Sequence, residues 1–242
     1  LGGSLTQALR RKPPRLHGGG EECWGLDWKA LAWLERELEP GLSTLETGAG
    51  TSTIVFAAAG TDHEAVTPDP VEQQQILAEC ERRNVSTARV SFRIGLSHEI
   101  LATLPQRPLD LVLIDGAHGF PYPILDWWYL APRLRVGGRL LVDDCYLPPV
   151  AALVDFLRAH KSWETAAAPG RRTVVLRKLD DASPAFDWQG ESIGGHVSFR
   201  HLPPLRRARA SAAHRLLESH LGRRAGALAR REPLSRISRL ER

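Results

Sequence analysis

Two short stretches near the middle of the chain carry side chains suited to acid–base or metal chemistry. Asp115 and His118 lie in Asp115-Gly116-Ala117-His118, and Asp143-Asp144 follows further on. Each group comes directly after an apolar run, LDLVLI at 109–114 and RLLV at 139–142. Nearly continuous apolar runs of this length are expected of strands buried on both faces. Like charges held close together are costly unless a cation or a proton offsets them. Oxygen-only ligands suit Mg²⁺ or another hard divalent ion. A third stretch, LETGAGTST at 45–53, places Gly48-Ala49-Gly50 where a strand would hand over to a helix. Such a turn lets a ligand approach the backbone, and the helix N-terminus offers free N–H groups. A dinucleotide loop needs a third small residue behind the pyrophosphate. That position is the β-branched Thr53, and Glu46 would repel a pyrophosphate but suit a cationic group. The loop therefore fits a cofactor bearing an amine and no phosphate, which points to S-adenosylmethionine.

The elements needed to position these groups alternate along the chain. Helical spacing of Leu31, Leu34 and Leu38, with Asp27 as a cap, predicts a helix over 27–38 that ends at Pro40-Gly41. Strands are predicted at 42–46, 63–67, 89–94, 109–114 and 139–142. Helices are predicted at 51–59, 71–83, 97–104 (capped by Ser97), 124–134 and 150–160, with a turn at 136–138. Residues 163–168 and 172–177 read as two strands joined by Pro169-Gly170-Arg171. That link is too short for a crossover helix, so they should pair antiparallel. The expected fold is α/β: a doubly wound, mostly parallel, seven-stranded Rossmann-like sheet closed by an antiparallel hairpin. In such a sheet the strand ends meet along one edge, where ligands bind. Asp115, His118, Asp143 and Asp144 should therefore converge beside the glycine loop. Three segments are expected: an irregular one or lid at 1–25, the main domain at 26–180, and a basic, partly helical extension at 181–242.

On these residues the chain resembles the class I S-adenosylmethionine-dependent methyltransferases. Their acid-x-Gly-x-Gly motif matches Glu46-Thr47-Gly48-Ala49-Gly50. The stretch LIDGAHGFPYPILDWWYLAPRLRVGGRLLVDD is similar to the catechol and caffeoyl-CoA O-methyltransferases, and closer still to bacterial relatives with an Asp-Gly-x-His signature. The resemblance covers roughly residues 26–178. It implies a cofactor site built from Glu46, Gly48, Ala49, Gly50, Ser52, Thr53 and Asp115. The ribose falls to Thr67 or Asp69, since the family's acid usually stands where Thr67 is; Asp69 is alternatively a helix cap. Ser97 and His98 match the position that often touches the adenine, and are alternatively a helix cap. The metal-dependent relatives hold Mg²⁺ on residues matching Asp115, Asp143 and Asp144. His118 takes the place of the catalytic lysine of the catechol enzymes, as a general base. The activity implied is O-methylation of a small-molecule hydroxyl, with or without a divalent metal. Phe120, Tyr122, Trp127, Trp128 and Tyr129 are candidate walls for a flat acceptor, with at least one of Trp127 and Trp128 in the core. Trp24 and the glycine-rich entry are candidates for a lid.

Composition narrows the alternatives. Hydrophobic residues make up 43% of the 242, enough for a packed core, and no run is long enough to span a membrane. Cys23, Cys80 and Cys145 form no CxxC pair, which argues against a structural zinc site and for a reducing, cytoplasmic setting. The N-terminus has no basic-then-apolar signal. Residues 203–242 carry 11 arginines against three glutamates, while the rest is mildly acidic. This tail, helical over 205–231 with Leu216, Leu217, Leu221 and Leu228 on one side, suits an anionic partner or homo-oligomer contacts. Two other functions share the pattern: an NAD-dependent oxidoreductase, which Thr53 disfavours, and a non-catalytic binding protein, which Thr67 favours.

Overall fold

The computed structural model describes residues 4–16, 25–181 and 203–218. Seven strands form one sheet: β1 (Ser43–Thr47), β2 (Asp62–Thr67), β3 (Val90–Ile94), β4 (Leu109–Ile114), β5 (Leu134–Val142), β6 (Trp163–Ala167) and β7 (Val174–Lys178). Their order is β3-β2-β1-β4-β5-β7-β6. The first five are parallel, and β7 runs antiparallel between β5 and β6, as the short Pro-Gly-Arg link requires. The order reverses between β1 and β4, the place where a doubly wound sheet opens a crevice at its carboxyl edge.

Alternation within the central strands serves two cores. Val112, Ile114, Leu140, Val142, Val174 and Leu176 face one side. There they meet α5 (Ser97–Thr103), α6 (Tyr122–Leu130) and α7 (Pro148–Ala159). Leu111, Leu113, Leu141 and Val175 face the other. That side is covered by α1 (Leu5–Arg11), α2 (Trp28–Glu37), α3 (Thr51–Ala59) and α4 (Pro70–Arg82). Helices therefore lie on both faces, and strands apolar on nearly every residue are what this layering needs. Asp27 caps α2 as expected, accepting from Lys29 N at 2.7 Å.

Four expectations change. Residues 5–11, expected to be irregular, form α1. Ser4 caps it, and Glu35 of α2 accepts from Ser4 Oγ (2.6 Å), Leu5 N (2.7 Å) and Thr6 N (3.0 Å). The anchoring by Glu35 comes from about thirty residues away and leaves no signal in the neighbouring sequence. The expected turn at 136–138 lies inside β5. Its register with β4 jumps from Leu109↔Leu134 to Leu111↔Arg139, so the turn is a bulge with Gly137 at φ 83°. The helix expected to begin at 124 begins at Tyr122 and ends at Leu130. Ser97 is the first helical residue of α5 and makes no capping bond; Leu96 is the N-cap.

Residues 188–242 cluster as a separate unit. Within it α8 (Pro204–Glu218) is helical, with mostly exposed residues over 203–213. Cys23, Trp24, Leu221 and Leu228 lie outside the described residues, as does any helix beyond 218. No described helix is long and apolar enough to cross a membrane.

Candidate active site

The glycine loop owes its form to the β1–β4 pairing. Asp115 N donates to Thr47 O at 3.0 Å, which lays the end of β4 against Gly48. Gly48 has φ 83°, and a Cβ there would stand 2.3 Å from the Asp115 carbonyl oxygen. Conformation and space both demand glycine. Glu46 works beneath the loop. It is 1% exposed and accepts from Ser52 Oγ at 2.6 Å, from Thr53 Oγ1, and lies 3.1 Å from His63 Nε2. Thr53 Oγ1 also accepts from Gly50 N at 3.0 Å. The β-branched residue that spoils a pyrophosphate loop is thus the pin that fastens this one to its acid. His63 continues the network to Thr44 and stacks on Phe56 at 4.1 Å. A buried network of this kind is stable because each polar group has a partner.

A cavity of about 770 Å³ opens along the carboxyl edge of the sheet. Of the expected cofactor residues, Gly48, Ala49, Gly50, Ser52, Thr67, Asp69, Ser97, His98 and Asp115 line it; His118 and Asp144 do too. Glu46, Thr53 and Asp143 do not, being turned to bonds within the protein. Of the aromatic candidates only Tyr122 lines the cavity. Phe120 points to solvent, and Trp127, Trp128 and Tyr129 border a different hollow, with Trp127 in the core.

The two residues expected at the ribose, Thr67 and Asp69, line the cavity and are also bonded within the protein. Asp69 caps α4, accepting from Val71 N at 2.8 Å. Thr67 Oγ1 donates to Glu72 Oε2 at 2.5 Å, and Glu72, 8% exposed, faces the same cavity. Glu72 thus brings a carboxylate from the first turn of α4 to the end of β2. Glu72 had no motif of its own, and only the fold of Pro68-Asp69-Pro70 brings it back to Thr67.

Around the β4 and β5 ends the charges are closely matched. His118 Nε2 stands 3.7 Å from Asp115 Oδ1 and 3.5 Å from Asp144 Oδ2, between the two carboxylates. One ligand atom from each of Asp115, His118 and Asp144 lies within 4.8 Å of the others. Burial, with Asp143 and Asp144 adding to it, pushes Asp115 up to about 7 against the pull of His118. The Asp115 carboxylate in turn raises His118 above its usual range, despite partial burial. Asp144 has φ 53°, a left-handed backbone that acidic residues tolerate, and it separates two neighbours with different tasks. Asp144 faces the cavity. Asp143, 1% exposed, accepts from Thr173 Oγ1 and pairs with Arg172 Nε at 3.2 Å. Burial raises the Asp143 carboxyl, and Thr173 and Arg172 oppose the rise. Arg172, Tyr146 and Glu72 are site residues that the sequence pattern did not mark.

The polar atoms fit a ligand rich in hydrogen-bonding groups. Thr51 Oγ1, His98 Nδ1 and Asp144 Oδ1 belong to cavity-lining residues and have no hydrogen-bond partner among the described residues. Beside them the Gly48 cradle has no room for a Cβ. The donor set expected for a metal fits less well, because Asp143 is not in the converging group and its carboxylate is held by Thr173 and Arg172.

Fold and loop together define the class. This is the class I S-adenosylmethionine-dependent methyltransferase architecture, with its acid-x-Gly-x-Gly turn at the β1–β4 crevice. Residues 45–145 match the family described as "Methyltransferase domain". Among solved structures it is similar to a protein described as a caffeoyl-CoA O-methyltransferase from Staphylococcus aureus. There the identity is 13% over 74% of this chain and 93% of the other, with a TM-score of 0.59. It is also similar to the O-methyltransferase of tomaymycin synthesis from Streptomyces achromogenes, solved with S-adenosylmethionine: 16% identity, 72% and 87% coverage, TM-score 0.57. A third is an O-methyltransferase from Bacillus cereus bound to S-adenosylhomocysteine: 15% identity, 66% and 84% coverage, TM-score 0.54. Among curated proteins no sequence matches this chain.

Proposed function

We propose that the protein transfers a methyl group from S-adenosylmethionine to a hydroxyl of a small molecule. The observation that carries this reading is a single cavity lined by the glycine loop, the Thr67–Glu72 pair and a histidine poised between carboxylates. Gly48, Ala49 and Gly50 give the cofactor's amino-acid end close access to backbone, and Asp115 offers its amine a carboxylate. Glu46 shapes that loop through Ser52 and Thr53 and adds a buried negative charge beneath it. Glu72, steadied by Thr67, takes the ribose hydroxyls, while Asp69 is left to cap α4. Ser97 and His98 border the adenine.

The bound cofactor supplies an electrophilic methyl on a sulfonium. His118 Nε2 removes the acceptor's hydroxyl proton as the oxygen attacks. The C–S bond breaks as the O–CH₃ bond forms, leaving a neutral thioether and a protonated His118. Asp115 and Asp144 stabilise the imidazolium. Because the displacement is in line, holding the two reactants in register supplies much of the rate. No step passes through a metal ion. Tyr122 and Tyr146 wall the acceptor side, which favours a flat acceptor.

The test is transfer of labelled methyl from S-adenosylmethionine to a panel of small hydroxylated aromatics, with wild type and His118→Ala side by side. Wild type should label the hydroxyl of at least one class, and His118→Ala should not. Labelling of amines alone, or equal rates in the two proteins, refutes the assignment.

A further inference from the structure

The cluster of Asp115, Asp143 and Asp144 needs a cation, and the chain carries one of its own. The register of β7 on β5 pairs Val142 with Val174, which sets the β6–β7 turn beside the residues that follow β5. Cys145 N donates to Arg172 O at 2.8 Å, fixing that approach. The Arg172 guanidinium then reaches three ways. Its Nε lies 3.2 Å from Asp143 Oδ2, its Nη1 lies 3.5 Å from Asp144 Oδ1, and its Nη2 donates to the carbonyl of Gly25. Gly25 and Arg172 both line the cavity, so the arginine ties the chain's entry into α2 to the acidic wall. Gly170 of the same turn packs against the Asp27 carboxylate, close enough that a Cβ there would approach it to 2.8 Å. A guanidinium is always charged and presents its donors as a planar fork, the geometry that suits two adjacent carboxylates.

We propose that Arg172 is the resident cation of this cluster, a positioning residue that holds Asp143 and Asp144 where a divalent metal would otherwise be required. On this assignment the chain works without a metal. Asp143 accepts a hydrogen bond from Thr173 on one oxygen and is ion-paired with Arg172 on the other. Asp144 is shared by Arg172 and His118. The one remaining convergent set, Asp115, His118 and Asp144, already has the imidazole between its two carboxylates. The inference rests on the methyltransferase reading for its functional meaning, but its test does not need an acceptor.

The experiment is a Mn²⁺ titration of the full chain followed by electron paramagnetic resonance, with S-adenosylhomocysteine binding measured on the same samples. Wild type should hold no Mn²⁺ at about millimolar metal, the weak end of protein oxygen sites. Arg172→Lys, which keeps the charge, should behave like wild type. Arg172→Ala should bind Mn²⁺ at least about tenfold more tightly, a difference of roughly 1.4 kcal/mol, and lose that gain when Asp144→Asn is added. Stoichiometric Mn²⁺ on wild type, abolished by Asp144→Asn, overturns the proposal. So does an Arg172→Ala protein that keeps its cooperative melting transition but binds Mn²⁺ no better than wild type. If Arg172→Ala does not fold, the wild-type and Arg172→Lys titrations decide the matter alone. Failure of wild type to bind S-adenosylhomocysteine would instead count against the methyltransferase reading, whatever the manganese signal.

Discussion

Glu72 separates two accounts of how this site holds a nucleoside. If Thr67 or Asp69 met the ribose, removing Glu72 would matter little. If the Thr67–Glu72 pair does, Glu72→Ala forfeits hydrogen bonds to a charged acceptor worth about 1.5–3 kcal/mol. Affinity for S-adenosylhomocysteine should then fall roughly 10- to 100-fold by calorimetry. Asp69→Ala should leave affinity nearly unchanged and cost about 1 kcal/mol of stability as a lost helix cap. Gly48→Ala is a harsher change, because it forces a side chain into positive φ and into the Asp115 carbonyl. We expect it to cost at least about 2 kcal/mol and to lower the melting temperature by about 4–8 °C. His118 sets the pH dependence. The Asp115 carboxylate raises its pKa, so the base is unprotonated, and methyl transfer fastest, only above the usual histidine range near 6.5. The rate should climb with pH through that raised value, and His118→Ala should lower kcat by about 10²–10⁴ and flatten the limb. Because Asp115 titrates near 7 in contact with it, the limb belongs to the pair.

At the level of elements, what could be read from the sequence and what could not divide along a physical line. LDLVLI and RLLV announce buried parallel strands because both faces of the sheet are covered, so all but Asp110 and Arg139 are apolar. Asp115 follows the first directly and Asp143-Asp144 the second, and their place at the edge was legible. Glu72 and Arg172 were not, because neither is adjacent to its partners in the chain. Glu72 is carried to Thr67 by the first turn of α4, and Arg172 to Asp143 by the antiparallel register of β7. Helix α1 was hidden for a related reason: beyond its Ser4 cap, its first turn is anchored by Glu35, on another helix. Burial pulls the Glu35 carboxyl up, but hydrogen bonds from Ser4, Thr6 and Leu5 outweigh it and hold its pKa below the usual 4.5. A depressed folded pKa means that Glu35 stabilises the docked α1 above about 4.5, and that this contribution is lost as pH falls through the lower folded value. The protection factors of the amides of residues 5–11 should therefore fall as pH drops below about 4.5. Glu35→Gln should lower them already at pH 7, where wild type is protected. Equal protection in the two proteins at pH 7 would show that α1 is held by Leu9 and its apolar contacts alone.

For the whole molecule, the two-sided core leaves the carboxyl edge as the place where unpartnered polar atoms collect, and the loop there is tuned by what it lacks. No third small residue stands behind the glycines, and the acid beneath them is anchored by Ser52 and Thr53. On the proposed reading this edge suits a nucleoside that carries an amine and no phosphate better than a dinucleotide. Binding should stabilise the fold by about 2.7 kcal/mol at a hundredfold excess over Kd, visible as a raised melting temperature. The central claim is tested most directly by calorimetry of the full chain with S-adenosylhomocysteine, repeated in the presence of excess NAD. The account predicts one site per chain, undisturbed by NAD and weakened by Glu72→Ala. Absence of binding, or displacement by NAD, would contradict it.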